Sequence, residues 1–446
     1  MKSLKIFIAA IVVVSLSLAG YFFFTPSPQS PGLPTLSPRS FESSPSKAYL
    51  SLLKSVREYQ GKIAEKPGII SNYVALARIF LQESRISGKH HEYIPKAEQV
   101  LEMALARKPN DFSAMITRAS IFLTKHQFQK AKDVARRAIA INPRNAFARG
   151  VLTDALVELG EYDAAVQSCD EMLAIRPDLR SYSRAAYLRE LHGQQNGAIA
   201  AMQMAADAGA PGYEDRAWAF YQLGNLYLEK GALDTATFIY RGILDERPHY
   251  AFAMSGLARV FAARRAYDRA IEMLVKAIQI SPEHLFLEQL ATIYRTLGQP
   301  ENAAVWDKSV LQAYRQHEAG GWNVDLEFAR FSLDNNIDLP EALRRAATAY
   351  QRRPENIDVL DTYAWALYKN GRAADALPLM KKALRLHTRR AKLFYHAGVI
   401  FQAAGKPNAA LTFLERALSV NPFLPEMFSR DIHQRVDSLK KLAALN

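Results

Sequence analysis

Cysteine is nearly absent: Cys169 stands alone in 446 residues. That excludes an internal disulfide framework and any thiolate-rich zinc or iron–sulfur site. Long apolar runs are equally scarce. Only the first 24 residues contain one, which excludes a multi-span membrane protein. There is no glycine pattern for a phosphate loop or a dinucleotide, and no His-Glu-x-x-His helix. His91-Glu92 runs into Tyr93-Ile94-Pro95, so a zinc motif is not completed, and the sequence places His90-His91 on an inter-helix insertion. No catalytic residue, metal or cofactor is expected. Apolar residues at 49% and charged residues at 23% exclude wholesale disorder.

The one apolar run, Ile6–Phe24, is 19 residues long, follows Lys2 and Lys5, and meets no charge before Arg39. As a helix it spans about 28 Å, enough for a hydrocarbon core. Positive charge on its N-terminal side predicts a cytoplasmic N-terminus and export of the remainder. Tyr21-Phe22-Phe23-Phe24 reads as an interfacial anchor, while Ser17-Leu18-Ala19 has the small residues of a signal-peptidase site. Residues 1–24 are thus a signal anchor or a cleaved signal peptide. Residues 25–46 carry six prolines among serines and no apolar periodicity, which predicts a semi-extended spacer.

The net charge is +13. Over half of that excess lies between Lys369 and Lys392, where eight basic residues face one acid, Asp375. Lys381–Arg390 is expected on a convex, solvated helix face, with anionic lipid or an acidic partner as the alternative. Nucleic acid is not expected, because no aromatics interleave these charges and export removes the chain from its reach.

The rest of the chain repeats itself. Pro109, Pro143 and Pro177 are spaced by 34 residues, as are Pro248 and Pro282, and Pro354, Thr388 and Pro422. Small residues recur with them: Gly224, Ala258, Ala364 and Gly398 on first helices, then Ala236, Ala270, Ala376 and Ala410 on second ones. Small residues at fixed offsets let paired helices approach closely. Helices of about a dozen residues are too short to stand alone, so stacked units must bury what each leaves exposed.

On this pattern the chain resembles a tetratricopeptide-repeat protein. Ten units begin near Ile70, Phe112, Ala146, Leu179, Ala217, Ala251, His284, Asn323, Ile357 and Ala391. The expected fold is an all-α, right-handed superhelical solenoid over residues 70–424, with capping helices in 47–69 and 425–446. Three joints depart from the period, at Ser84–Pro95, at Gly209–Asp215 and in the segment before the eighth unit. That eighth unit is degenerate, with Arg330 where a small residue belongs. The last third is similar to exported or anchored bacterial repeat proteins.

The resemblance implies that positions two, five, nine and twelve of each first helix face an inner groove. Candidate partner-binding residues there are Trp218, Tyr221, Asn225, Arg259, Asp358, Asp361, Trp365, Tyr368 and Tyr395, with Phe147, Phe252, Arg180 and Tyr187 also on that wall. Aromatic and arginine side chains are what peptide interfaces favour. Phe147 and Phe252 equally suit packing between units. Asp358 and Asp361 beside Trp365 and Tyr368 suggest a cationic ligand segment. Cys169 and His396 read as a core thiol and a hydrogen-bonded core histidine. The expected function is a non-enzymatic scaffold, tethered to the outer face of a bacterial inner membrane, that binds a peptide or helix of an envelope protein. A soluble periplasmic chaperone released by cleavage is the alternative, and a cytoplasm-facing adaptor a further one.

Overall fold

The computed structural model describes residues 32–39 and 45–445. Among them are 22 α-helices and no strand. The anchor expected over residues 1–24 lies outside the described residues. Within them, no helix is long and apolar enough to cross a membrane.

A leading helix, Lys47–Glu65, is followed by ten helical hairpins. These are Ile70–Arg107, Phe112–Ile141, Ala146–Ile175, Leu179–Asp207, Glu214–Glu246, Ala251–Ile280, His284–Ala319, Asp325–Arg352, Ile357–Ala383 and Ala391–Val420, units 1 to 10 below. A last helix, Glu426–Leu445, seats Ile432, Val436 and Leu439 on the end of unit 10. The small-residue positions act as the period implies. At Gly224 an added Cβ would lie 2.5 Å from the Tyr240 ring, so the second helix of unit 5 closes onto bare backbone.

Three expectations are corrected. The extra residues of unit 1 do not form a loop: its helices run Ile70–Ser87 and His90–Arg107, each about a turn longer than usual. His90-His91 therefore opens a helix. The segment before unit 8 continues unit 7 as the sequence suggests, extending its second helix to Pro300–Ala319. In unit 8 the register is one residue earlier than Arg330 suggested, with Ala329 fully buried at the close approach and Arg330 turned inward.

The third correction concerns the spacer. Residues 32–39 are docked on unit 1 and the leading helix, with Leu33 and Leu36 buried. An extended proline-rich strand leaves its carbonyls unpaired, and here side chains donate to them. Gln99 reaches Gly32 O at 2.7 Å, Gln60 reaches Pro34 O at 2.8 Å, Lys96 reaches Thr35 O at 2.9 Å and Tyr49 reaches Ser37 O at 2.9 Å. Arg39 pairs with the buried Glu83 at 2.7 Å.

The units wind tightly enough for one superhelical turn to rest on the next. Hydrogen bonds join residues 193–200 apart, the length of about six units. Each links a first-helix C-terminus or hairpin turn in units 1–5 to a joint between later units. Asn323 donates to His126 O, Asn356 to Val157 O and Glu158 O, Thr388 to Leu191 O, and Asn421 to Leu228 O. His90 meets Glu283 at 3.1 Å at the first rung. Asn356 serves two helices at once: its Oδ1 accepts from Asp358 N and Val359 N at 3.0 Å while its amide caps unit 3. Arg353–Glu158 at 2.8 Å and Ile357 N donating to Tyr162 Oη at 2.9 Å close the same rung.

Gly160 sits in this seam at φ +81°, and a Cβ there would lie 2.3 Å from the backbone of Glu355. Gly371, at the same hairpin position in unit 9, has φ +77° and open space. Gly371→Ala should cost only the left-handed penalty, about 1 kcal/mol. Gly160→Ala should cost more and also pry the turns apart. Thermal melts with small-angle scattering check this: only Gly160→Ala is expected to enlarge the radius of gyration.

Candidate functional site

First helices form the inner wall, and the tight winding makes that wall a bore. A cavity of 1340 Å³ lies in it, lined mainly by first helices of units 1 to 5 and by Arg390 and Lys392 of unit 10. Its aromatic lining is Phe112, Phe147, Tyr187 and Trp218. The Tyr187 hydroxyl has no hydrogen-bond partner among the described residues, and burial raises its pKa.

The candidate residues divide between the two ends of the chain. Trp218, at 37% exposure, stands in the cavity wall. Asn225 and Arg259 also line it: Asn225 Oδ1 accepts from Tyr240 Oη at 2.8 Å and from Arg259 at 3.1 Å, and Arg259 pairs with Glu229 at 2.5 Å. Tyr221 is corrected to core, 5% exposed, with its ring against Tyr240 and Phe252.

None of the second cluster lines the cavity, and its role as an open platform is corrected. Trp365 is 4% exposed, with its ring stacked 4.2 Å from His396 and 5.0 Å from half-buried Tyr368. Tyr395 is buried and donates to Asp431 of the last helix at 3.0 Å. Asp361 is taken by His396 Nδ1 at 2.9 Å. Asp358 is held by Arg390 at 2.9 Å and Arg330 at 3.5 Å. The last helix and unit 10 cover these groups, which no reading of unit 9 alone reveals. A cationic ligand at Asp358 would displace two arginines already there.

The basic run is likewise partly absorbed. Lys382 and Arg385 turn to Glu355, Arg390 bridges Asp358 and Glu190, and Lys392 pairs with Asp334. Lys381 and Arg389 stay exposed. Cys169 is 2% exposed, and burial raises its thiol pKa to about 11, which leaves a protonated core thiol.

Family models for the tetratricopeptide repeat match residues 122–190 and 362–425. Those two stretches are tetratricopeptide repeats. Such repeats are scaffolds for protein–protein interaction, and neither matching model describes a catalytic family. The chain is similar to cellulose synthase 2 operon protein C of Komagataeibacter xylinus, 25% identical over 324 residues, covering 71% of this chain and 22% of that protein. It is also similar to mouse tetratricopeptide repeat protein 21A, 27% identical over 160 residues, 35% of this chain and 12% of that one. It therefore spans less than a quarter of either relative's length. Among solved structures, a chain of the APC/C hetero-tetramer Cut9–Hcn1 aligns over 88% of this chain and 96% of its own, at 14% identity and a TM-score of 0.38.

Burial alone would raise the Asp358 pKa, but Arg390 and Arg330 outweigh it and hold the carboxyl below its ordinary 3.8. A lowered carboxylate pKa contributes stability that is present above the unfolded value and is lost as pH falls through the folded one. Asp358→Asn should cost about 3 kcal/mol near neutrality. It should also flatten the loss of stability below about pH 4. Urea titrations at pH 7 and pH 3 check both, and equal costs at the two pH values would contradict the pairing.

Proposed function

We propose that this protein is a non-enzymatic scaffold that holds a peptide or helical segment of an envelope protein inside its bore. The observation that carries the reading is the cavity itself. It is 1340 Å³, is built by first helices, and keeps Trp218 exposed among Phe112 and Phe147 where a solitary core would have buried it. Exposed aromatics in a concave wall desolvate a partner at little entropic cost. The repeat family supports a polypeptide as that partner.

The N-terminal run supports tethering to a bacterial inner membrane with the solenoid on the outer face, and the docked residues 32–39 would then seat unit 1 close to the bilayer. Removal of the run by a signal peptidase gives the soluble periplasmic form instead. A carbonate wash separates the two: the tethered protein stays in the membrane fraction.

A photo-cross-linking amino acid in place of Trp218 tests the bore in cells. It should trap a partner that the same probe at convex Lys381 does not. Adducts at position 381 with none at 218 would move the partner to the outer surface.

A further inference from the structure

Most cations of the bore are spoken for. Arg184 pairs with Asp154 at 2.6 Å, Arg259 with Glu229, and Arg390 with Asp358 and Glu190. Arg78 and Arg180 differ. Both line the cavity, both are exposed to it, and neither guanidinium has a carboxylate or hydrogen-bond partner among the described residues. Arg78 belongs to unit 1 and Arg180 to unit 4. With about six units per turn they stand half a turn apart, on facing walls. They are close enough that Arg180, after burial, is the cause that lowers the Arg78 pKa. Arg180 also lies 5.8 Å over the Phe147 ring, which fixes one side of its plane and leaves its edge to the cavity.

Two like charges facing each other with no carboxylate in ion-pair reach are unfavourable in a confined space. We infer that Arg78 and Arg180 form an anion site that takes a carboxylate-bearing stretch of the bound polypeptide. The occupant is thus an acidic segment, its side-chain carboxylates between the two guanidiniums and its apolar atoms on Phe147 and Trp218. Planar guanidiniums match carboxylates bidentately, and two from opposite walls would grip a chain running along the bore. This deepens the proposed function and reverses the charge expected of the ligand from Asp358 and Asp361, whose carboxylates are already paired.

The test uses full-length protein in detergent and three peptides blocked at both ends: hexaglutamate, hexaglutamine and hexalysine. Calorimetry should show hexaglutamate binding, weakened by salt, with no binding of the other two. Arg78→Gln and Arg180→Gln should each weaken it about tenfold. Arg78→Lys and Arg180→Lys, which keep the charge, should lose less. Inorganic phosphate at equal anion concentration should not displace the peptide. Displacement by phosphate, or no hexaglutamate binding, or unchanged binding in the Arg78→Gln/Arg180→Gln double variant, would overturn the site. The partner reading fails separately. An adduct at position 218 that survives the double variant keeps the bore and removes the anion site. Hexaglutamate binding that needs both arginines, with no adduct in cells, does the opposite.

Discussion

Everything else in this molecule hangs on a ladder of short polar side chains between successive superhelical turns. The C-terminal carbonyls of a helix have no partner within it and carry the negative end of its dipole. Asn356, Thr388 and Asn421 bring donors to those carbonyls in units 3, 4 and 5, and Asn323 to the turn just past the first helix of unit 2. Each bond contributes about 1 kcal/mol on its own. Together they set the pitch, because a rung forms only when about six units complete a turn. Solenoid units otherwise contact only their neighbours. Here unit 3 also touches the joint before unit 9, which couples the two halves of the chain.

Closing the spiral changes what the inner wall can do. An open groove would leave charged first-helix side chains to water. In the bore they meet charges from the joints of the next turn, so Arg390, just before unit 10, reaches Glu190 of unit 4, and Arg353, just after unit 8, reaches Glu158 of unit 3. These pairs are partly desolvated, and removing one partner leaves the other stranded. The charges that organise the later units are therefore spent on structure. Among the described residues that line the cavity, the unpaired cations Arg78 and Arg180 and the exposed Trp218 belong to units 1, 4 and 5.

Much of this was legible in the chain. Proline and small-residue spacing located ten units, and eight of the ten helix starts fall on the residue named. Unit 5 begins earlier, at Glu214, three residues after Pro211, the offset that Phe112, Ala146 and Ala251 keep from their own prolines, and unit 8 begins at Asp325. The register of unit 8 was hidden because Ala329 and Arg330 are adjacent, and only packing shows that the alanine is the buried one. The docked strand at 32–39 was hidden by its composition: proline and serine read as a spacer, and its partners Gln60, Lys96 and Gln99 look like ordinary surface residues. Inner-wall positions were legible, but exposure was not, since Trp365 is covered by Tyr395 and His396 of the next unit and Tyr395 by a helix that lies beyond the repeats. The ladder left a trace, with Asn323, Asn356, Thr388 and Asn421 following one another by 33, 32 and 33 residues. Asparagine before a helix reads equally well as an ordinary cap, and no spacing in one dimension reveals a contact six units away.

The closed turn can be measured directly across the seam. Gln195, half-buried, and Arg389, exposed, are 194 residues apart, and the Gln195 amide donates to Arg389 O at 3.2 Å. Spin labels on Gln195→Cys and Arg389→Cys, with buried Cys169 left unlabelled, report that separation by pulsed electron paramagnetic resonance. A closed bore predicts a narrow distribution at the short limit of the method, which broadens and lengthens when Asn356→Ala or Gly160→Ala is added. A long, broad distribution in the otherwise unaltered protein would show an open spiral, and the bore with its cavity would not exist.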